Sequence, residues 1–295
     1  MSAIDPADRA IDLHAHTTAS DGEHAPEVLV EKAAGIGLKA LAVTDHDTTA
    51  GVARAAATGQ TLGIEVVPGI ELSAEPPRPR SGARSQCHIL GLYIDPDSAP
   101  LLDRLREVIR NRNRRNDLMV ERMRSELHWD ITLAEVEAAA GGDVVARPHF
   151  ARVILDKGYV RSVRQAFEIY LGKGGKAYVE RDRLRPDEAI DLIHRAGGVA
   201  VLAHPNNLYM SDEETETYVR DLAGLGLDGI EARYNLHTPE DTARYLALAE
   251  RLRMLTSGGS DFHGHSVKPT VHLGHVEGER PAPYGLLNPL QNARR

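Results

Sequence analysis

Near the end of the chain, the run GGSDFHG (258–264) puts a carboxylate and an imidazole two residues apart, Asp261 and His263, on a backbone with little side-chain obstruction. Near its start, DLHAH does the same with two imidazoles, His14 and His16. In an extended segment, residues i and i+2 face the same way, so each pair can reach one ion. Other ionisable residues fall at the ends of strand-like apolar runs. These are Asp45, His46 and Asp47 in TDHD, Glu71 in GIELS, His88 in CHILGL and His204 in LAHP, with Asp21 in a turn-like SDG. Each has an ordinary reading alone, since Gly-Ser-Asp is common turn chemistry and buried histidines often satisfy a backbone group. Together they differ: six histidines and three carboxylates collected at one end of a fold would be costly to bury without cations.

Nitrogen and oxygen donors without thiolate suit manganese, zinc or iron. Adjacent divalent ions lower the pKa of a bound water and neutralise phosphoryl oxygens, so no catalytic group beyond the metal-bound hydroxide is required. The sequence has no glycine loop of the P-loop kind, which argues against kinase chemistry.

Candidate phosphate contacts lie in the middle of the chain. Arg110 and Arg114, with Arg106, recur at helical spacing around IRNRNRRN (109–116), an acid-free run in a chain of net charge -8. Guanidinium forks match phosphate geometry. The same residues read equally well as a solvated helix face, because Asp103, Glu107, Asp117 and Glu121 flank them. Arg147 and His149 in ARPHF form a second candidate, and Lys173 and Lys176 in GKGGKAY a third.

The elements that must position these residues alternate. Strands are expected at 10–14, 38–45, 64–73, 85–95, 199–204, 227–233 and 252–261, with helices at 25–37, 48–62 and 186–198. The link before 85–95 is short and helix-free, which predicts a hairpin and brings His88 to the Glu71 end. The expected fold class is therefore α/β, an incomplete (β/α) barrel with a helical insertion and its function at the carboxyl ends of the strands. The barrel takes 10–97 and 181–276. The insertion, 98–180, begins with an Arg-rich helix near 99–127 and is expected to roof the active site, since it leaves after the fourth strand and returns before the helix preceding His204. Residues 277–295 read as a loosely ordered tail. The last strand's pair is expected on the opposite side of the barrel from the first.

A chain of 295 residues, 42% apolar, has ample core for this architecture. It contains no apolar run of membrane-spanning length, and MSAIDPADRA lacks the features of a signal peptide. The single Cys87 points to a reducing cytoplasm. The negative charge argues against capture of duplex nucleic acid, and an aromatic content of 4% against a long single-strand stacking platform.

DLHAHTTASDG, VTDHDT, GIELS, CHILGL, LAHP and GGSDFHG, in this order, resemble the PHP (polymerase and histidinol phosphatase) family, from about Ile11 to Gly264. The resemblance implies a distorted (β/α)7 barrel and two or three divalent ions, Mn, Zn or Fe. Carried over by motif, His14, His16, Glu71 and Asp261 would hold one ion. Glu71 would bridge to a second with His88 and His204, and Asp21, His46 and His263 would hold the third. The implied activity is that of a metal-dependent phosphoric ester hydrolase acting on a nucleotide, a nucleoside 3′,5′-bisphosphate or another small phosphorylated metabolite. Relatives of this architecture also include histidinol-phosphate-type phosphatases and enzymes that trim short RNA from the 5′ end. The resemblance favours Arg147 and His149 as substrate contacts. Two departures remove expected phosphate contacts: Asn206 and Asn207 stand where relatives have Gly-Arg, and the lysine of the glycine loop is displaced. Competing readings are a metal-dependent amidohydrolase and a non-catalytic partner of a polymerase. The expected partner is a small phosphorylated substrate, at most a short oligonucleotide, with no duplex and no membrane.

Overall fold

The computed structural model describes residues 10–140, 145–180, 183–276 and 280–295. In chain order the first elements are β1 (Ala10–Asp12), α1 (Pro26–Gly35), β2 (Ala40–Val43), α2 (Val52–Leu62), β3 (Glu65–Ala74) and β4 (Cys87–Leu92). Four helices follow: α3 (Ala99–Ser125), α4 (Leu133–Ala140), α5 (Arg147–Asp156) and the short α6 (Val163–Gln165), which runs into a π-turn over Ala166–Leu171. The alternation then resumes with α7 (Pro186–Arg195), β5 (Val199–Leu202), α8 (Asp212–Gly224), β6 (Gly229–Tyr234), α9 (Pro239–Leu252) and β7 (Leu255–Gly259). A two-residue strand, β8 (Ala282–Pro283), and α10 (Leu287–Asn292) end the chain.

The strands form one sheet in the order β7-β6-β5-β4-β3-β2-β1-β8, a distorted α/β barrel of the expected class. Strands β2 (ALAV) and β5 (VAVL) are buried at every residue, as parallel strands with helices on one side and a packed interior on the other must be. Pairing is parallel except at β4, which runs antiparallel to both β3 and β5, and at β8, which runs antiparallel to β1. The helices start on their own signals. Pro26, Pro186 and Pro239 occupy first-turn positions, and Thr238 and Ser211 accept backbone N–H bonds as N-caps.

Closure brings β1 and β7 together. Leu13 N donates to Gly258 O at 3.1 Å, Asp261 N to His14 O at 2.8 Å and His16 N to Phe262 O at 2.9 Å. The two glycines make this approach possible: a Cβ on Gly259 would collide with His14, and one on Gly258 with Arg233. Strand β8 pairs antiparallel with β1 and caps the seam. The expectation of a loosely ordered end therefore does not hold for 280–295. Ala282, Leu287 and Leu290 are buried in the main barrel core with Ile11, Leu13, Val199 and Val201.

The described chain divides into two compact units, 1–103 with 183–295, and 104–182. In the second, Met119, Met123, Ile131, Val136, Phe150 and Ile154 build a separate core, and Trp129 stacks on Tyr159 with centroids 4.7 Å apart. The two connections leave and rejoin the barrel at different ends. Leu92 at the end of β4 lies opposite Gly69, so the antiparallel strand delivers the chain away from the carboxyl end of β3. The return is at that carboxyl end, where Leu184 bridges Ala74 and Glu75 N donates to Leu184 O at 2.8 Å. Departure after the fourth strand is thus no reason by itself to place the Arg-rich helix beside the metal end.

Candidate metal centre

Alternation along the two seam segments sorts their side chains. Ala15 bridges Phe262 in parallel register, and both enter the hydrophobic cluster of Leu29, Leu41 and Val43. Their neighbours His14, His16, Asp261 and His263 consequently share the other side. The two pairs lie next to each other rather than across the barrel, because closure makes the first and last strands neighbours. Next along the sheet, His46 bridges Glu71. His88 stands opposite Ser73 on β4. His204 follows β5 with a positive φ of 27°, and Asp261 has φ 56°, both sparsely populated conformations for non-glycine residues.

All the ligands expected from the sequence meet in this one place. Their donor atoms fall into four overlapping groups, each close enough to share an ion: His16, Asp21, His46 and His263; His14, Glu71 and His204; His14, His16 and Asp261; and His46, Glu71 and His88. His14, His16, His46 and Glu71 each join two groups, so the geometry divides the donors less cleanly than the three sets carried over by motif. Glu71 is central and fully buried. Its Oε1 lies 2.9 Å from both His88 Nδ1 and His204 Nε2. Its Oε2 faces His46 Nδ1 at 2.9 Å, His16 Nε2 at 3.3 Å and His14 Nε2 at 3.4 Å.

The electrostatics are those of buried carboxylates and imidazoles acting on one another. Burial pushes the Glu71 carboxyl up, but His46, His88 and His14 outweigh it and hold it well below the usual carboxylate range. Asp261 behaves alike: burial is outweighed by His263, Lys268 and His14. At His46 burial is overcome by Glu71 and Asp21, and the imidazole is raised to about 9. At His88 burial prevails over Glu71 and lowers it to about 4. Glu71 Oε2, His14 Nε2, both ring nitrogens of His16, His46 Nδ1 and His204 Nδ1 are buried without a hydrogen-bond partner of acceptable geometry. Buried polar atoms are rarely left so, and divalent ions would satisfy imidazole nitrogens and carboxylate oxygens together. The donor set fits such ions.

Further buried acids, which the sequence motifs do not single out, hold these donors in place. Glu231 on β6, fully buried, contacts His14 Nδ1 at 3.0 Å and accepts the His204 N–H at 2.7 Å. A proton held on His14 Nδ1 leaves Nε2 to face Glu71 and Asp261. Asp12 accepts from Ser260 Oγ and N, His14 N and Gly274 N, tying the two seam segments together. Asp45 accepts from Thr17 N and Ser20 Oγ, which shapes the turn that presents Asp21, and Asp47 accepts from Ser73 N. The acids flanking His46 are thus turned to backbone and hydroxyl donors. Tyr234 OH and Lys268 Nζ both reach Asp261 Oδ2.

The proposed phosphate contacts belong to the second unit. Arg110 and Arg114 are exposed on α3, whose inward-packed arginines are Arg112 and Arg115. Arg147 is half-buried, donates to Leu171 O at 3.3 Å and lies over the Tyr178 ring. His149 Nδ1 accepts the Ala146 N–H at 3.0 Å, and Lys173 and Lys176 are exposed. In the barrel, Asn206 is committed to α9 through Asp241, Tyr245 and Arg244. No described helix is long and apolar enough to cross a membrane.

Comparison with known proteins places these residues among relatives. The PHP domain profile matches residues 12–222. The chain is 35% identical over 265 residues to the 5′-3′ exoribonuclease Rnm of Escherichia coli (strain K12), covering 89% of this chain and 87% of that one. It is 33% identical over 275 residues to the 3′,5′-nucleoside bisphosphate phosphatase of Chromobacterium violaceum, covering 90% and 91%. Among solved structures, an amidohydrolase from Chromobacterium violaceum with bound sulfate superposes with a TM-score of 0.80 at 31% identity, covering 96% of each chain.

Proposed function

The chain belongs to the PHP family, and from that premise we propose that it is a metal-dependent phosphoric ester hydrolase acting on a small phosphorylated metabolite, a nucleotide or a nucleoside 3′,5′-bisphosphate. The observation that carries this reading is Glu71, whose two oxygens face separate sets of imidazoles in a buried cluster. In the proposed arrangement His14, His16 and Asp261 hold one ion with Glu71, His88 and His204 hold a second with it, and Asp21, His46 and His263 hold a third. Two or three ions of manganese, zinc or iron suit these donors. Bound there, they would supply a nucleophile from water at neutral pH and neutralise the phosphoryl oxygens.

The chain's own residues do the rest. Glu71 would offer one oxygen to each of two ion positions, Glu231 orients His14 and accepts the His204 N–H, Asp12 ties the first strand to Ser260 just past β7, and burial excludes bulk water. We assign Arg147 and His149 to the non-reacting part of the substrate, with Arg110, Arg114, Lys173 and Lys176 as further contacts. The barrel would take 10–97 and 181–276. To the insertion, 98–180, we assign the part of a roof over the site. The single, buried Cys87 fits a reducing cytoplasm.

Trimming of short RNA from its 5′ end is the second reading, favoured by the 35% identity to the Escherichia coli exoribonuclease. One assay series tests both. Phosphate release from mononucleotides, nucleoside bisphosphates and 5′-phosphorylated RNA is measured with and without chelator, beside a circular single strand and its linear counterpart. Chelator-sensitive release from the small substrates supports the first reading, and stepwise shortening of the linear strand the second. Cleavage of the circle refutes the roofed site, and turnover unaffected by chelation refutes the metal-dependent reading.

A further inference from the structure

The two carboxylate oxygens of Asp261 are used differently. Oδ1 faces the imidazoles: His263 Nδ1 at 3.3 Å, His16 Nε2 at 3.4 Å and His14 Nε2 at 3.6 Å. Oδ2 accepts two hydrogen bonds, from Lys268 Nζ at 2.6 Å and from Tyr234 OH at 3.1 Å. Neither donor arrives by chance. Tyr234 is the last residue of β6 and its ring is buried. Lys268 is held by a turn in which its N–H donates to Gly264 O at 2.8 Å and its carbonyl accepts from Val271 N at 3.1 Å. Val271 and Leu273 anchor the far side of that turn in the same hydrophobic cluster as Phe262. The turn is thus fixed to the strand end that carries Asp261.

We propose that Lys268 is a positioning residue that reserves Asp261 Oδ2, so that Asp261 presents Oδ1 alone to the metal. This rests on the metal reading above and deepens it. A carboxylate with two free oxygens can bind a cation through one or both. Engaging the second oxygen would occupy a position that a water or a phosphoryl oxygen needs, and open positions distinguish catalytic from structural metal sites. A lysine suits the task because its ammonium is a compact charge that can hold one oxygen beside a second donor, whereas a guanidinium favours taking both.

Removing Lys268 separates this role from a simple charge effect, because the two have opposite signs. If the ammonium merely adds positive charge near the ions, its loss strengthens metal binding. If it orients Asp261, its loss weakens metal binding, by about tenfold to a hundredfold for a partner of this kind. The experiment measures Mn²⁺ affinity by chelator competition in the full chain, for wild type, Lys268→Met and Lys268→Arg. Visible absorption of the Co²⁺-loaded proteins is recorded in parallel. The proposal expects weaker Mn²⁺ binding in Lys268→Met, no more than partial recovery in Lys268→Arg, whose fork competes for Oδ1, and fainter Co²⁺ bands in Lys268→Met as the freed oxygen raises the coordination number. Equal or tighter Mn²⁺ binding in Lys268→Met overturns it, as does a lower melting temperature with unchanged affinity. Should Lys268→Met not fold, Lys268→Ala removes the same donor without burying a longer side chain, and unchanged affinity there is equally decisive. Wild-type protein that binds no Mn²⁺ or Co²⁺ would instead overturn the metal reading itself.

Discussion

Glu231→Gln keeps the shape of a buried side chain and changes only which atoms can accept a proton. The carboxylate contacts His14 Nδ1 and accepts the His204 N–H, at 3.0 and 2.7 Å. An amide has one acceptor and one donor, so it can serve only one of these partners. If its oxygen stays on the His204 N–H, its NH₂ meets His14 Nδ1 and drives the ring proton to Nε2, the atom that must be bare to bind metal. If it turns round, the His204 N–H is left facing another donor, and a buried unsatisfied group costs about 1–3 kcal/mol. The first outcome is expected to weaken metal binding by about tenfold to a hundredfold, as for other partners of metal-ligating histidines. That is about 1.4–2.8 kcal/mol, so the two penalties are of similar size and the substitution has no inexpensive escape. Chelator competition with Mn²⁺, paired with the melting temperature of the metal-free protein, reads both. Wild-type affinity together with a wild-type melting temperature would refute the view that Glu231 sets the His14 tautomer.

Glu71→Ala should be among the most damaging single changes, with activity lost and the bound metal reduced at more than one position; a full metal complement in this variant would exclude a bridging role. If Arg147 binds a non-reacting phosphate, Arg147→Ala should lower kcat/KM on doubly phosphorylated substrates about thirtyfold while a minimal aryl phosphate changes less. Equal losses on both would return Arg147 to its contacts with Leu171 O and Tyr178. Burial pushes the Cys87 thiol up to about 11, above its unfolded value of about 8.5. The neutral thiol therefore favours the folded state below the unfolded pKa, and this contribution fades as pH rises through the folded one. Iodoacetamide at pH 8 should label native protein far more slowly than denatured protein, and rapid native labelling would contradict the burial.

The metal cluster was legible because its residues interrupt apolar runs at strand ends, where a long, buried side chain has no ordinary use. Even His88 could be placed, since the helix-free link before it implied a hairpin. Glu231 and Asp12 carried a fainter version of the same signal, each a lone acid inside an apolar strand, in GIEAR and AIDLH. Glu231 lies inside β6, and Asp12, although last in β1, precedes the end at His14 that the sequence predicts for its strand. Lys268 lies in a polar loop, and no local pattern marks a loop lysine that reaches back to a strand. Strand β8 escaped because two residues have no periodicity. The adjacency of the first and last strands is a property of closure, which short-range patterning does not encode. The arginines show the opposite failure: spacing at i and i+4 identified one face of α3, but only the fold shows that Arg112 and Arg115 face inward while Arg110 and Arg114 do not.

The seam between β1 and β7 has a consequence for how the protein is made. Two donors to the first proposed ion, His14 and His16, emerge from the ribosome long before Asp261 does. Contacts such as Asp12 with Ser260 span 248 residues, so the seam must be closed against the entropy of almost the whole chain, and pairings of this range are intrinsically slow. A nascent or truncated chain lacking β7 has neither the second wall of the seam nor Asp261, and should release manganese readily. Metal retention would then report closure of the seam, available only to chains translated and folded through β7.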